Sequence, residues 1–358
     1  MVFQPVGRGR RGVRHSTAVA AILLALWPGA VVGHAAPPVP VDPEITSVRL
    51  AGDISATSPD GSFIADIARG TQGEIDLGVH SAAMDSVIPI KVLPARDSTR
   101  PAPTLYLLNG ASGGDAGSSW LDQTDVPEFF ADKHVNIVIP IGGAGSYFTD
   151  WLRPDPVLGR MAWTTFLTHE LPPIIDTALH TTKANAIAGI SMAATSVFQL
   201  AIAAPGLYRA IGSYSGCIRT SDPLGQAMVA AVVARWNGDA LNMWGPPQDP
   251  AWTVNDPFVN AEKLRGTTIY VSTGTGIPGH LDTLQAVSAD STQLTWQLLI
   301  GSPMEWVIAA CTAQLRDRLS QLNIPAVVDM RPTGTHSWGY WGEDLHKSWP
   351  VLEAALRR

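Results

Sequence analysis

The sequence predicts an α/β fold, a mostly parallel central sheet with helices on both faces, and three observations predict it. Short apolar runs bounded by Gly, Pro or Asn alternate with longer helix-like stretches through most of the chain. A strand–turn–helix pattern surrounds the pentad Gly189-Ile190-Ser191-Met192-Ala193. Hydrophobic residues make up 46% and charged residues 15%, enough apolar side chains to bury strands on both faces.

The elements follow in chain order. Arg8, Arg10, Arg11 and Arg14 precede an apolar stretch from Thr17 to Gly33, and small residues then lead to Pro37-Pro38. This reads as an export signal over residues 1–36, cleaved near Ala35 or Ala36. Pro28 and Gly29 interrupt the run, which argues for cleavage over a retained anchor. Arg10-Arg11 hints at twin-arginine export, although its neighbours match that pattern poorly. Residues 37–85 are expected to be a leader with edge strands, including one at Ile45–Leu50, and residues 86–358 a single catalytic domain. Another edge strand is expected at Ile88–Leu93. Buried strands are expected at Thr104–Leu108, Asn136–Pro140, Ala186–Ile190, Ile211–Tyr214, Thr268–Ser272 and Ala326–Met330. Helices are expected at Thr164–Leu179, Met192–Ala203, Gln226–Ala234 and Trp306–Leu322, with a further helical stretch at the C-terminus. No segment after the leader reads as long and apolar enough to cross a membrane.

The net charge is −7, and removing four leader arginines makes the remainder more acidic still. An acidic surface argues against nucleic acid as a partner. Cys217 and Cys311 both lie in the exported part, so one disulfide between them is expected. No Cys or His cluster has metal-ligand spacing, and neither a metal nor a cofactor is expected.

Chemistry centres on Ser191. A sharp turn between a strand and a helix exposes such a serine, and the helix start beneath it favours a developing oxyanion. The pentad alone arises easily by chance; its context separates it from an ordinary Gly-Ser cap. A serine hydroxyl needs a general base, which in this arrangement follows the last strand. Of nine histidines, His336 in Gly334-Thr335-His336-Ser337-Trp338 has that order and that loop. Two carboxylates compete to orient it: Asp282 behind the Thr268–Ser272 strand, and Glu305 at the start of a helix. Sequence physics leaves the choice open.

Several motifs in order then carry a resemblance: Leu107-Leu-Asn-Gly-Ala, Gly189-Ile-Ser-Met-Ala, Met243-Trp-Gly-Pro, Asp249-Pro-Ala-Trp, Asn255-Asp-Pro and Gly334-Thr-His-Ser-Trp-Gly-Tyr-Trp-Gly. From about Ser86 onward the chain resembles the antigen 85-type mycolyltransferases. The Leu-Leu-Asn-Gly form looks closer to their corynebacterial, nocardial or rhodococcal members. The resemblance implies a secreted α/β-hydrolase without a cofactor that moves a mycolyl chain from trehalose monomycolate to a second one or to cell-wall arabinogalactan. Peripheral contact with the cell envelope follows.

It also favours Glu305 over Asp282, because Pro303-Met-Glu-Trp-Val matches the family's acid-bearing stretch. It assigns the oxyanion-holding amides to Ala111 and Met192, and Trp338 to the sugar end of the site. An acid and an arginine that contact trehalose in the family are replaced here by Asn109 and Ser112, while Gln123 stands near a sugar-contacting asparagine. The implied reaction is ping-pong acyl transfer through a Ser191 ester. Two alternatives are a secreted carboxylesterase on the same scaffold, separable by its products, and a non-catalytic envelope-binding protein, which an active Ser191→Ala variant would favour.

Overall fold

The computed structural model describes residues 50–71 and 73–358. The expected export leader, the proline-rich segment after it and the strand at Ile45–Leu50, apart from Leu50, lie outside the described residues.

The strands are β1 (Phe63–Arg69), β2 (Ile75–Ser81), β3 (Ser86–Leu93), β4 (Ala102–Leu108), β5 (Asn136–Pro140), β6 (Thr181–Ile190), β7 (Tyr208–Tyr214), β8 (Thr268–Thr273) and β9 (Val327–Met330). They form one sheet in the order β1-β2-β3-β5-β4-β6-β7-β8-β9. The first three strands pair antiparallel, as do β3 and β5, and every pair from β5 to β9 is parallel. Parallel neighbours need crossover connections, and the helices supply them on both faces. β1 and β2 lie within residues 37–85, where edge strands were expected, although neither range was located from the sequence. β2 nevertheless alternates buried Ile75, Leu77, Val79 and Ser81 with partly exposed neighbours, the period of a half-covered strand. A domain boundary at 85/86 would fall in the β2–β3 hairpin, inside this one sheet.

Side-chain alternation splits the core in two. Tyr106 and Leu108 of β4 join Ile187, Ile211 and Val271 beneath the helices Leu171–Ala178 and Met192–Ala203. Leu105 and Leu107 of the same strand join Ile137, Ala186 and Ala188 beneath the helix Trp338–Leu356, which contributes Trp341, Leu345, Trp349 and Leu352. Burial on both faces explains why the central strands read as continuous apolar runs.

Two helical stretches contain a π-turn, and a proline follows each. Phe166–Glu170 precedes Pro172-Pro173, and Gln297–Gly301 precedes Pro303. Proline offers no N–H to the preceding turn, so the ladder widens there rather than breaking. The second stretch starts at Ser291, well before the expected Trp306, and runs through Ser302–Gln321. It is long and apolar enough to cross a membrane, contrary to the sequence reading. It holds a buried glutamate and a disulfide cysteine against the sheet, which makes it a structural helix of the domain.

Candidate active site

The C-terminal ends of the parallel strands converge on Ser191. It directly follows β6 and caps the helix Met192–Ala203, with φ 54° and ψ −117°. A positive φ is strained for a side chain with a Cβ, and tight packing around the turn holds it there. A Cβ on Gly189 would lie 2.8 Å from the Ala193 carbonyl oxygen, so only glycine fits that position. The expected Met192–Ala203 helix coincides with the observed one, and Ala193 is accommodated in place of a second glycine.

His336 lies between β9 and the helix Trp338–Leu356. Its Nε2 is 2.8 Å from Ser191 Oγ, and its Nδ1 is 2.9 Å from Glu305 Oε2. With Glu305 ionised, Nδ1–H donates to the carboxylate and Nε2 accepts from the serine. Trp341 stands edge-on to the imidazole, with ring centroids 4.9 Å apart.

Glu305 is wholly buried. Its Oε1 accepts from Ser215 Oγ at 2.7 Å, Thr273 Oγ1 at 2.9 Å and the Gly274 amide at 2.7 Å. Burial pushes its pKa up, but the His336 hydrogen bond and charge, with Ser215 and Gly274, pull it below the usual carboxylate range. Ser215, Thr273 and Gly274 were not picked out from the sequence. Their only signal was position, within two residues of the ends of β7 and β8.

The competing acid has another task. Asp282 accepts from Thr335 Oγ1 at 2.5 Å, Tyr340 Oη at 2.7 Å and the Gly279 amide at 2.8 Å. It ties two loops together beside His336, while Glu305 faces the imidazole. Cys217 and Cys311 form the expected disulfide. It joins the loop after β7, two residues beyond Ser215, to the helix bearing Glu305.

Ala111 and Met192 flank the nucleophile. Met192 follows it in the chain, and a Cβ on Gly110 would sit 3.6 Å from Ser191 Cβ. The turn carrying the Ala111 amide therefore packs against the serine.

Asn109 requires a correction. It is 0% exposed, its Nδ2 donates to the Pro140 carbonyl at 3.2 Å, and its Oδ1 accepts the Trp120 amide at 3.1 Å. Both ends of the side-chain amide serve the backbone, so Asn109 shapes the turn and cannot reach a sugar in this arrangement. Ser112 is half-buried and its Oγ accepts the Gly114 amide at 3.3 Å. Gln123 is exposed and, with half-buried Trp338, lines a polar groove of about 420 Å³ that also includes Asp122, Asp290, Gln293 and Ser337. Trp338 packs edge-on against Trp120 and Trp341.

Known proteins share this architecture. The Esterase family model matches residues 81–351. The diacylglycerol acyltransferase/mycolyltransferase Ag85A of Mycobacterium tuberculosis is 32% identical over 265 residues, covering 71% of this chain and 74% of that protein. Ag85B of Mycobacterium leprae is 31% identical over 290 residues, 78% of this chain and 83% of that protein. Among solved structures, Mycobacterium tuberculosis MPT51 (FbpC1) matches with a TM-score of 0.65 at 22% identity, covering 82% of this chain and 99% of that one. An S-formylglutathione hydrolase from Agrobacterium tumefaciens matches at 0.57 and 15% identity, covering 81% and 98%. At those identities the two structures speak for the α/β-hydrolase fold alone.

Proposed function

The chain belongs to the Esterase family and to the antigen 85 acyltransferases, and on that footing we propose that it is a mycolyltransferase working through Ser191. The observation that carries the proposal is the unbroken hydrogen-bond chain Ser191–His336–Glu305 at the ends of the parallel strands.

In the proposed mechanism His336 Nε2 takes the Ser191 proton as Oγ attacks the ester carbonyl of an acyl donor. The amides of Ala111 and Met192 hold the tetrahedral oxyanion. Glu305 keeps the imidazole in the required tautomer and offsets the charge it gains. The alcohol leaves with the proton from His336, and the acyl chain stays on Ser191. An acceptor hydroxyl then enters, gives its proton to His336 and carries the chain away. We take the donor to be trehalose monomycolate and the acceptor a second trehalose mycolate or cell-wall glycan. The name of the relatives, the motifs shared with them and the polar groove beside Trp338 support that choice. The basic, then apolar leader of residues 1–36 supports export and work at the cell envelope.

One observation favours a carboxylesterase as the second reading. Asn109 is committed to the backbone and Ser112 carries no charge. The acceptor must then be held by neutral groups such as Gln123 if it is to outcompete water. Incubating the purified mature protein with trehalose monomycolate and analysing the products by mass spectrometry separates the two. Dimycolate supports transfer; free mycolic acid as the only product makes the protein an esterase.

A further inference from the structure

Behind Glu305 lies a second buried charge layer to which neither the acyl-transfer reading nor the resemblance assigns a role. Arg331, which directly follows β9 in the loop that carries His336, is 6% exposed. Its Nη2 is 3.8 Å from Glu305 Oε1, and its Nη1 donates to Asp344 Oδ2. Asp344 is 0% exposed and sits on the helix Trp338–Leu356. The guanidinium packs over the Tyr340 ring, 5.2 Å from its centroid. Arg331 Nε and Nη2 and Asp344 Oδ1 are buried with no hydrogen bond within 3.5 Å among the described residues, although Nη2 keeps its ion pair with Glu305 and the Ser272 hydroxyl faces Asp344. Incomplete pairing of buried charges is costly, and a hydrophobic pair of similar volume would avoid that cost. Fold stability alone therefore accounts poorly for the pair.

We propose that Arg331 and Asp344 are positioning residues that set the basicity of His336 through Glu305. The proposal rests on the Ser191–His336–Glu305 reading. Above about pH 6, where Asp344 is ionised, Glu305, Arg331 and Asp344 together carry a single buried negative charge while His336 is neutral. When His336 accepts the Ser191 proton the cluster becomes neutral, which favours the protonated state that attack requires. Arg331 alone would overshoot: it holds Glu305 ionised but repels an imidazolium. Asp344 cancels that repulsion. The other titratable groups facing the layer are few. Tyr270 and Tyr214 stand beside Asp344, Lys347 lies on its own helix, Asp329 of β9 approaches Tyr270, Lys347 and Arg331 itself, and Tyr340 beneath the guanidinium donates to Asp282. Toward His336 the other carboxylate is Asp282, engaged with Thr335, and Trp341 covers the ring.

The test follows the acid limb of kcat/KM for p-nitrophenyl butyrate hydrolysis by the mature protein. Asp344→Asn leaves the layer uncharged and should move the limb down by roughly 0.5–1 unit, with kcat reduced and KM little changed. Arg331→Met should not move it down. The Arg331→Met/Asp344→Asn double variant regains the single negative charge, so its limb should return toward that of the wild type. A purely structural pair predicts cumulative damage and no such return. An unmoved limb in Asp344→Asn, or a double variant no closer to wild type than the single one, overturns the proposal. Ser191→Ala run alongside keeps the two ideas apart, since hydrolysis surviving in that variant defeats the triad reading itself.

Discussion

At the scale of single residues, Glu305 and Asp282 are both buried carboxylates near the His336 loop, and their substitutions should diverge. Glu305→Gln loses the charge that holds His336 in its tautomer and should cost on the order of a thousand- to ten-thousand-fold in kcat, as orienting carboxylates do in comparable triads. Asp282→Asn instead weakens a tie between loops. It should cost about 1–3 kcal/mol of stability with less than a roughly tenfold change in kcat. Steady-state kinetics paired with thermal unfolding of both variants would expose a reversed assignment. The two acids could not be separated from the sequence by physics because what distinguishes them is not chain position. Donors from three other segments, Ser215, Thr273-Gly274 and His336, meet at Glu305 and exist as a set only after folding. Ser191 and His336 were legible because each combines a chemical residue type with a place in the strand order. Asn109 misled because its neighbours resemble a sugar site while its own amide is spent on Pro140 and Trp120.

Asp344 also makes a prediction about pH. Burial pushes its carboxyl up to about 6 in spite of Arg331. Its pKa is thus raised on folding, so between about 4, the usual aspartate value, and 6 the folded state binds a proton more readily than the unfolded one. Stability from this group is penalised above pH 6 and recovers as pH falls toward 4. Glu305 has the opposite sign. Its lowered pKa gives a contribution complete above the unfolded value and lost as pH falls through the folded one. Urea unfolding at pH 7 and pH 5 should therefore show wild type gaining stability relative to Asp344→Asn as the pH drops. A constant difference between the two proteins would contradict the burial argument.

At the scale of elements, the disulfide is the most informative link. Cys217 and Cys311 are 94 residues apart, and their bridge joins the segment bearing Ser215 to the helix bearing Glu305. Replacing both cysteines by serine should cost about 2–5 kcal/mol. It should also lower kcat, because the two sides of the Glu305 pocket are no longer tied. A melting temperature unchanged by reduction would argue against any stabilising role. The central strands and the Met192–Ala203 helix were legible because burial on both faces leaves continuous apolar runs, and because a glycine-bounded turn marks the helix start. β1 and β2 were harder. β1 carries Asp66 and Arg69 on a largely exposed edge, and Gly78 sits in the middle of β2. The start of the Glu305 helix was hidden by Pro303, which reads as a boundary but is absorbed by the π-turn before it.

For the whole molecule, the nine strands among the described residues form one sheet, with the site at the C-terminal ends of its parallel strands and separate helical layers over its two faces. This rigid frame explains how a strained Ser191 backbone and a wholly buried Glu305 are maintained together. The side proposed for the acceptor is a polar groove near Gln123 and Trp338. Changes there should alter the ratio of transfer to hydrolysis more than the rate of acylation. Trp338→Ala is expected to raise the share of free acid released from a trehalose ester donor, while pre-steady-state acylation stays within about threefold of wild type, since proximity of the acceptor and not attack on the donor is affected. Equal losses in both steps would place Trp338 in the donor pocket instead.

The most direct test of the serine acyl-transfer account is to mix the mature protein with trehalose monomycolate, quench early and locate the acyl adduct by peptide mass spectrometry. The account predicts one mycolyl ester on the peptide containing Ser191, discharged by added trehalose and absent from Ser191→Ala. Turnover that persists in Ser191→Ala, or an adduct on a different residue, would contradict it.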